Sequence, residues 1–220
     1  EALIDAALNL VSSGGLPAIG VRSVTSEAKL SSRYFYESFT DSDDLLVAAL
    51  HGVAAELLEV GIAGLEAAEL ADPKTASESE LLQRFRQGLD AALSVLFDDP
   101  RKAALIVAAS AGGSRIRQEL QQLILVVATA ITEHQNATDI GFEYTSALFV
   151  AGGIAQLTIA YVSGELPVER GELVERLARY SLGVITTSRH ELLGAARGGN
   201  SINARQHEVD SNRKAKRRRA

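Results

Sequence analysis

Cysteine, methionine and tryptophan are all absent from the 220 residues, and proline occurs only four times. Without cysteine the chain can build neither a disulfide framework nor a thiolate metal site; the redox compartment stays open. Without methionine, further residues are expected ahead of Glu1. Long hydrophobic runs are missing as well. The longest near-apolar window, Ala147 to Val162, has 16 residues and includes Gln156 and Thr158, short of the roughly 20 that a membrane span needs. It reads as a buried helix, and no membrane partner is expected. No signal-peptide pattern opens the sequence; a cytoplasmic location is expected.

Positive charge is also scarce. The formal net charge is −6, and residues 1–52 set only Arg22, Lys29 and Arg33 against seven acids. The dense basic block is "RKAKRRRA" at 213–220, with six cationic residues. A contact between the body of the chain and nucleic acid must therefore come from a small local patch. Catalytic constellations are missing too. The four histidines (51, 134, 190 and 207) are scattered with no metal-ligand spacing. Neither a glycine-rich phosphate loop nor a G-x-S-x-G elbow is present. No enzyme activity, metal or cofactor is expected.

What is present is helical periodicity, and the reading is all-α. Residues 1–13 place Leu3, Ala7, Leu8 and Val11 on one side, and Gly14-Gly15 ends the run. Residues 20–28 form a short second helix with Val21, Val24 and Ala28 inward, and "SSRYFYESF" forms a third. A long fourth helix starts at Ser42, helped by the two aspartates in its first turn. The polar, proline-containing 71–80 reads as a linker. A fifth helix ends at "DDP" (98–100), and a short one spans 101–111. A seventh carries Ile116 to Ile131, an eighth spans 139–163, and a last one runs from Val168 to about Leu193. Disorder is expected from 198 to 220.

Residues 30–39, "LSSRYFYESF", concentrate four of the chain's eleven aromatics. Residues four apart share a helix face, so Phe35 and Phe39 can close a three-helix core with Val24, Ala28 and Leu30. That leaves Ser32, Arg33 and Tyr36 outward, with Ser31 at the helix start. Two short helices joined by a tight turn, the second exposing such residues, is a helix-turn-helix arrangement. An arginine can bond bidentately to guanine O6 and N7; hydroxyls of Ser31, Ser32 and Tyr36 can donate to phosphate oxygens. The competing reading is an ordinary three-helix packing unit.

Residues 2–50 resemble the DNA-binding domain of TetR-family (TetR/AcrR-like) transcriptional regulators, of the type with an RYFYESF segment. The resemblance lies in the "AAL" of the first helix, the glycine break, "VRSVTSEA", "LSSRYFYESF" and the "DLLVAAL" that opens the fourth helix. It implies a backbone contact for Tyr36, a core position for Phe39 and a DNA contact for Arg22. It also implies base-edge positions for Ser32, Arg33 and Tyr34. Lys29 stands where the family usually has a turn glycine, and Ser42 where it often has lysine. Both complete the candidate DNA-binding set of Arg22, Lys29, Ser31, Ser32, Arg33, Tyr34, Tyr36 and Ser42. Glu37 beside them can accept from cytosine N4 or repel phosphate.

The resemblance further implies a DNA-binding domain at 1–52, a ligand-binding and dimerisation domain at 53–197, and a palindromic operator bound by a homodimer. A ligand-responsive repressor is the expected function. A pocket built from Phe85, Leu89, Leu93, Phe142 and Phe149 would favour an apolar or amphipathic effector, although each of these residues also suits an ordinary core. Gly152, Ala155, Leu177, Tyr180 and Val184 are candidates for a dimer interface between the last two helices and their copies; the same face could instead pack within one chain. The rival function is a helical protein-interaction module whose DNA affinity comes only from the basic tail.

Overall fold

The structure, a computed structural model, describes residues 1–68, 76–137 and 143–187; no strand occurs among them. The fold is all-α, with an N-terminal helix-turn-helix unit. Helix α1 (Ala2–Gly14) closes on Gly15 at φ 66°, whose N–H donates to the Val11 carbonyl at 2.8 Å. A single 3₁₀ turn, Leu16–Ala18 with Pro17 inside it, leads to α2 (Val21–Glu27). At the start of α2 the Ser23 hydroxyl accepts from the Gly20 N–H and donates to the Ala18 carbonyl, at 3.0 and 2.8 Å. Helix α3 (Ser32–Ser38) follows, then α4 (Ser42–Ala67).

Leu3, Ala6, Ala7, Val24, Phe35 and Leu45 form a buried core between α1, α2, α3 and the start of α4, with Leu30 and Phe39 half-buried against it. Phe35 and Leu45 are fully enclosed.

Helix α4 is the spine. Its 26 residues extend about 39 Å at 1.5 Å per residue. Asp41 caps it by accepting from the Asp44 N–H at 2.8 Å, while the Asp44 carboxylate accepts from the Thr40 N–H and hydroxyl. On α4 pack α5 (Glu78–Phe97), α6 (Pro100–Ala111) and α7 (Ser114–Ala137); α8 (Tyr144–Val162) lies against α6 and α7, and α9, which covers 170–187 of the described residues, against α5. The expected linker 71–80 ends earlier than its composition suggests. Ser77 and Glu80 form a reciprocal capping box, so α5 starts at Glu78.

The α4–α5 crossing is close because it is made of small residues. A Cβ on Gly64 would sit 2.7 Å from the Ala91 Cβ, and one on Gly88 would sit 2.5 Å from Leu65 Cγ. A continuous core joins Leu8 and Val11 of α1 to Leu46, Leu50 and Val53 of α4 and to Leu105 of α6. Apolar packing therefore runs without a break from the helix-turn-helix into the larger bundle. Helices α4 and α8 are long and apolar enough to cross a membrane by length and composition. Each contributes part of its length to the bundle's core, α4 through Leu45, Leu46, Ala49, Leu50 and Val53 and α8 through Ala147, Val150, Ala151 and Thr158.

Candidate nucleic-acid interface and internal cavity

The turn between α2 and α3 is closed by a Schellman motif. Leu30 N–H donates to the Thr25 carbonyl at 2.9 Å and Lys29 N–H to the Ser26 carbonyl at 3.2 Å. The motif places its C′ residue in the left-handed region, and Lys29 has φ 55°, alone among the described non-glycine residues. The glycine position noted in the sequence is thus a position of positive φ, occupied here by a lysine.

Behind this turn α3 is divided as its spacing predicts. Phe35 is fully buried, whereas Tyr34 and Tyr36 are 57% and 62% exposed. Tyr36 stands edge-on to Phe35, ring centroids 5.5 Å apart, so its ring is braced on the core while its hydroxyl reaches solvent. Arg22, Lys29, Ser31, Ser32 and Arg33 are exposed on the same end of the molecule, and Ser42 is half-buried at the start of α4. Ser31 makes no capping bond, so its hydroxyl is uncommitted within the helix. Glu37 has a role that the sequence reading lacked. Its carboxylate accepts from Arg33 Nε at 2.9 Å. The Arg33 side chain is 86% exposed, so its guanidinium is open to solvent, and such a group can bond bidentately to guanine.

Three acids of this unit, Asp5, Asp41 and Asp44, are paired with arginines of the bundle. Arg101 of α6 donates to Asp5 and Asn9 of α1, at 2.8 and 2.7 Å, and is itself gripped through two nitrogens by Asp99. These bonds hold the Asp99 carboxyl below the usual carboxylate range. Arg115 of α7 pairs with Asp41 at 3.2 Å, and the Asp44 carboxyl is lowered chiefly by its bonds from Thr40. His51 of α4 lies 2.6 Å from the Glu119 carboxylate of α7.

The second site is internal. A cavity of about 230 Å³ lies between α4, α5, α7, α8 and α9. Leu57 and Leu58 of α4, Phe85, Leu89 and Leu93 of α5 and Val127 of α7 represent its walls. Of the sequence-expected pocket residues, Phe85, Leu89 and Leu93 line it, and Phe142 lies outside the described residues.

Phe149 is a correction. It is 71% exposed and borders an open groove on the opposite side of α8. Ala155, expected at a dimer interface, instead lines the cavity. Leu177, at 2% exposure, packs on Leu93, Leu173 and Val174 in the chain's own core and also lines the floor of that groove. Tyr180, 59% exposed, and half-buried Val184 do border that groove, while half-buried Gly152 has open space where a side chain would point. The polar side chains of Arg86, Gln87, Gln121, Gln122, Thr129, Thr145 and Gln156 in α5, α7 and α8 are all exposed. Those that line the cavity are His134, Thr158 and Ser181, which periodicity alone does not mark.

No protein-family model matches the chain, and no curated protein matches it at the level of sequence. Solved structures do match. A TetR-family transcriptional regulator from Syntrophomonas wolfei superposes with TM-score 0.62 at 15% identity, over 84% of this chain and 93% of that one. FadR from Bacillus subtilis, solved in complex with stearoyl-CoA, gives 0.57 at 16% identity, over 84% and 96%. EbrR, a multidrug-binding protein complexed with imidazole, gives 0.57 at 19% identity, over 84% and 92%. The chain shares with these proteins an all-α fold carrying an N-terminal helix-turn-helix.

Proposed function

We propose that the chain is a TetR-family regulator of transcription, a ligand-responsive repressor that binds a palindromic operator as a cytoplasmic homodimer. The observation that carries this reading is the division of α3: Phe35 wholly buried, with Ser32, Arg33, Tyr34 and Tyr36 presented together on an open face. Arg33 reads a guanine edge, and Ser31, Ser32, Tyr36, Arg22, Lys29 and Ser42 contribute contacts around it, mostly to phosphate. The fold neighbours are consistent with this assignment, since they include a transcriptional regulator solved with stearoyl-CoA and a multidrug-binding protein solved with imidazole.

Helix α4 couples the two sites. Leu45, in its first turn, belongs to the core under α3, Leu46 to Val53 pack on α1 and α6, and a later stretch, Ala54 to Leu65, walls the cavity. Helix α7 walls the same cavity and is tied to the first half of α4 through Arg115–Asp41 and His51–Glu119. An apolar or amphipathic effector that prefers a cavity shape different from that of the DNA-bound state displaces α4, and with it the spacing of the two α3 helices in the dimer. Only an affinity difference between the two states can do this, and linkage makes it reciprocal.

The test is selection of genomic fragments by the purified protein at physiological salt, with and without residues 199–220. Recovery of one palindromic motif by both forms is expected, with half-sites about one helical turn apart, ~34–36 Å. Sequence-independent recovery that disappears with the tail would overturn the proposal and leave an interaction module with a basic end.

A further inference from the structure

We infer that the cavity selects an uncharged, mostly apolar small molecule carrying one hydrogen-bonding group, and that Thr158 of α8 is the residue that recognises this group. The inference rests on the reading of the cavity as the effector site and gives that site a ligand class. Two independent observations carry it.

First, among the described residues no aspartate, glutamate, lysine or arginine lines the cavity, and His134 is the one titratable side chain in its wall. A carboxylate or ammonium drawn into it would lose its hydration with no fixed opposite charge among the described lining side chains, which a buried ion tolerates poorly. The volume of about 230 Å³ is also below the roughly 300–1,000 Å³ of pockets for drug-sized ligands, so the enclosed part of the molecule is small.

Second, Thr158 is 3% exposed, and its hydroxyl has no hydrogen-bond partner. The contrast with the other threonines is informative. A helical threonine ordinarily donates to the carbonyl four residues earlier. Thr25, Thr129, Thr132, Thr186 and Thr187 all do so here, at 2.8 to 3.0 Å. Ser181, which also lines the cavity, satisfies its proton on the Leu177 carbonyl at 2.8 Å. Thr158 alone among the described mid-helix threonines is without that bond, and it lies in the wall of an apolar cavity. A buried polar group without a partner is unfavourable and calls for an explanation. A hydroxyl can donate to a ligand carbonyl, ether or alcohol oxygen, or accept from a ligand alcohol. Such a hydroxyl among mostly apolar walls can fix the orientation of the ligand without requiring charge.

The experiment uses four probes with one eight-carbon chain and different ends: octan-1-ol, n-octane, octanoate and octylamine. Each competes at pH 7 against the neutral fluorophore N-phenyl-1-naphthylamine bound to the full chain. Octanol is expected to displace the fluorophore at a concentration at least tenfold below octane, octanoate and octylamine. In Thr158→Val the octanol-to-octane ratio falls to near one, and in Thr158→Ser, which keeps the hydroxyl, the ratio is retained. Octanoate or octylamine competing as well as octanol would overturn the inference. So would an unchanged ratio in Thr158→Val, or failure of every probe to compete. Release of DNA by octanol is scored separately. Octanol that binds through Thr158 but leaves operator binding unchanged would sink the effector reading and leave the ligand class standing.

Discussion

Lys29 holds a backbone conformation that favours glycine, φ 55° at the C′ position of the α2–α3 turn. An L-residue there costs roughly 1–2 kcal/mol, of which the greater unfolded-state freedom of glycine would return about 0.5–1. Lys29→Gly should therefore stabilise the fold by about 0.5–1 kcal/mol, seen as a higher urea midpoint at unchanged slope. If Lys29 also touches phosphate, the same variant lowers the salt dependence of DNA binding by about one neutralised charge. A gain in stability without that change would assign Lys29 to the turn alone. For Arg33, held at Nε by Glu37, Arg33→Ala should lose about 1–3 kcal/mol on the preferred site and relax the preference at one base pair. Tyr36→Phe should weaken all sites alike. Binding of a panel of single-base operator variants separates these two outcomes. The residues of this face were legible in the sequence because i, i+4 spacing assigns Phe35 and Phe39 to the core and frees Tyr36. The Arg33–Glu37 bond was not legible as orientation, since sequence gives two charges at helical spacing without saying which atom is held.

Helix boundaries followed from their end signals wherever a glycine, a proline or a cap marked them. Gly15, Pro100 and the "DLL" start of α4 all fall where the sequence placed them to within a residue or two. The 3₁₀ turn at Leu16–Ala18 was missed because three residues carry no periodicity, and the Ser77–Glu80 box was hidden inside a segment read by its polarity. At this scale the α1–α6 junction is the testable element. Asp99 caps α6 through the Arg101 N–H and grips the Arg101 guanidinium that reaches Asp5 and Asn9. The Asp99 carboxyl is lowered in the folded state. Its contribution is therefore present above the ordinary carboxylate range and is lost as pH falls through the folded value. Asp99→Asn keeps the size of the cap and removes the charge. It should cost about 1 kcal/mol near neutral pH. The gap between variant and wild type should close as pH drops below the ordinary carboxylate range, measured as urea midpoints across a pH series. A gap independent of pH would mean that Asp99 acts only by shape.

At the scale of the whole molecule, α8 is the helix whose direction the sequence could not determine. Its apolar residues go almost all the way round, so periodicity does not say which side meets the chain's own core. Ala147, Val150 and Ala151 went inside, whereas Phe149 was left 71% exposed beside Tyr180 and Val184 on α9. For the same reason Phe149 was expected in the cavity and Ala155 at an interface, the reverse of their places. An exposed groove of this composition is the face a second copy would cover, two helices from each chain closing into a four-helix interface. If that is how the operator's two half-sites are bridged, Phe149→Glu should separate the copies without unfolding either. The residue is mostly solvent-exposed in the single chain, so the monomer should lose no more than about 0.5 kcal/mol, while two opposed carboxylates in an apolar interface are not tolerated. Sedimentation at micromolar concentration should show a dimer for wild type and a monomer for the variant, with unchanged helical circular dichroism. Affinity for a full palindrome should fall at least about tenfold, or 1.4 kcal/mol, toward that for an isolated half-site. A variant that stays dimeric and keeps the palindrome would move the interface elsewhere and leave the groove between α8 and α9 for another partner.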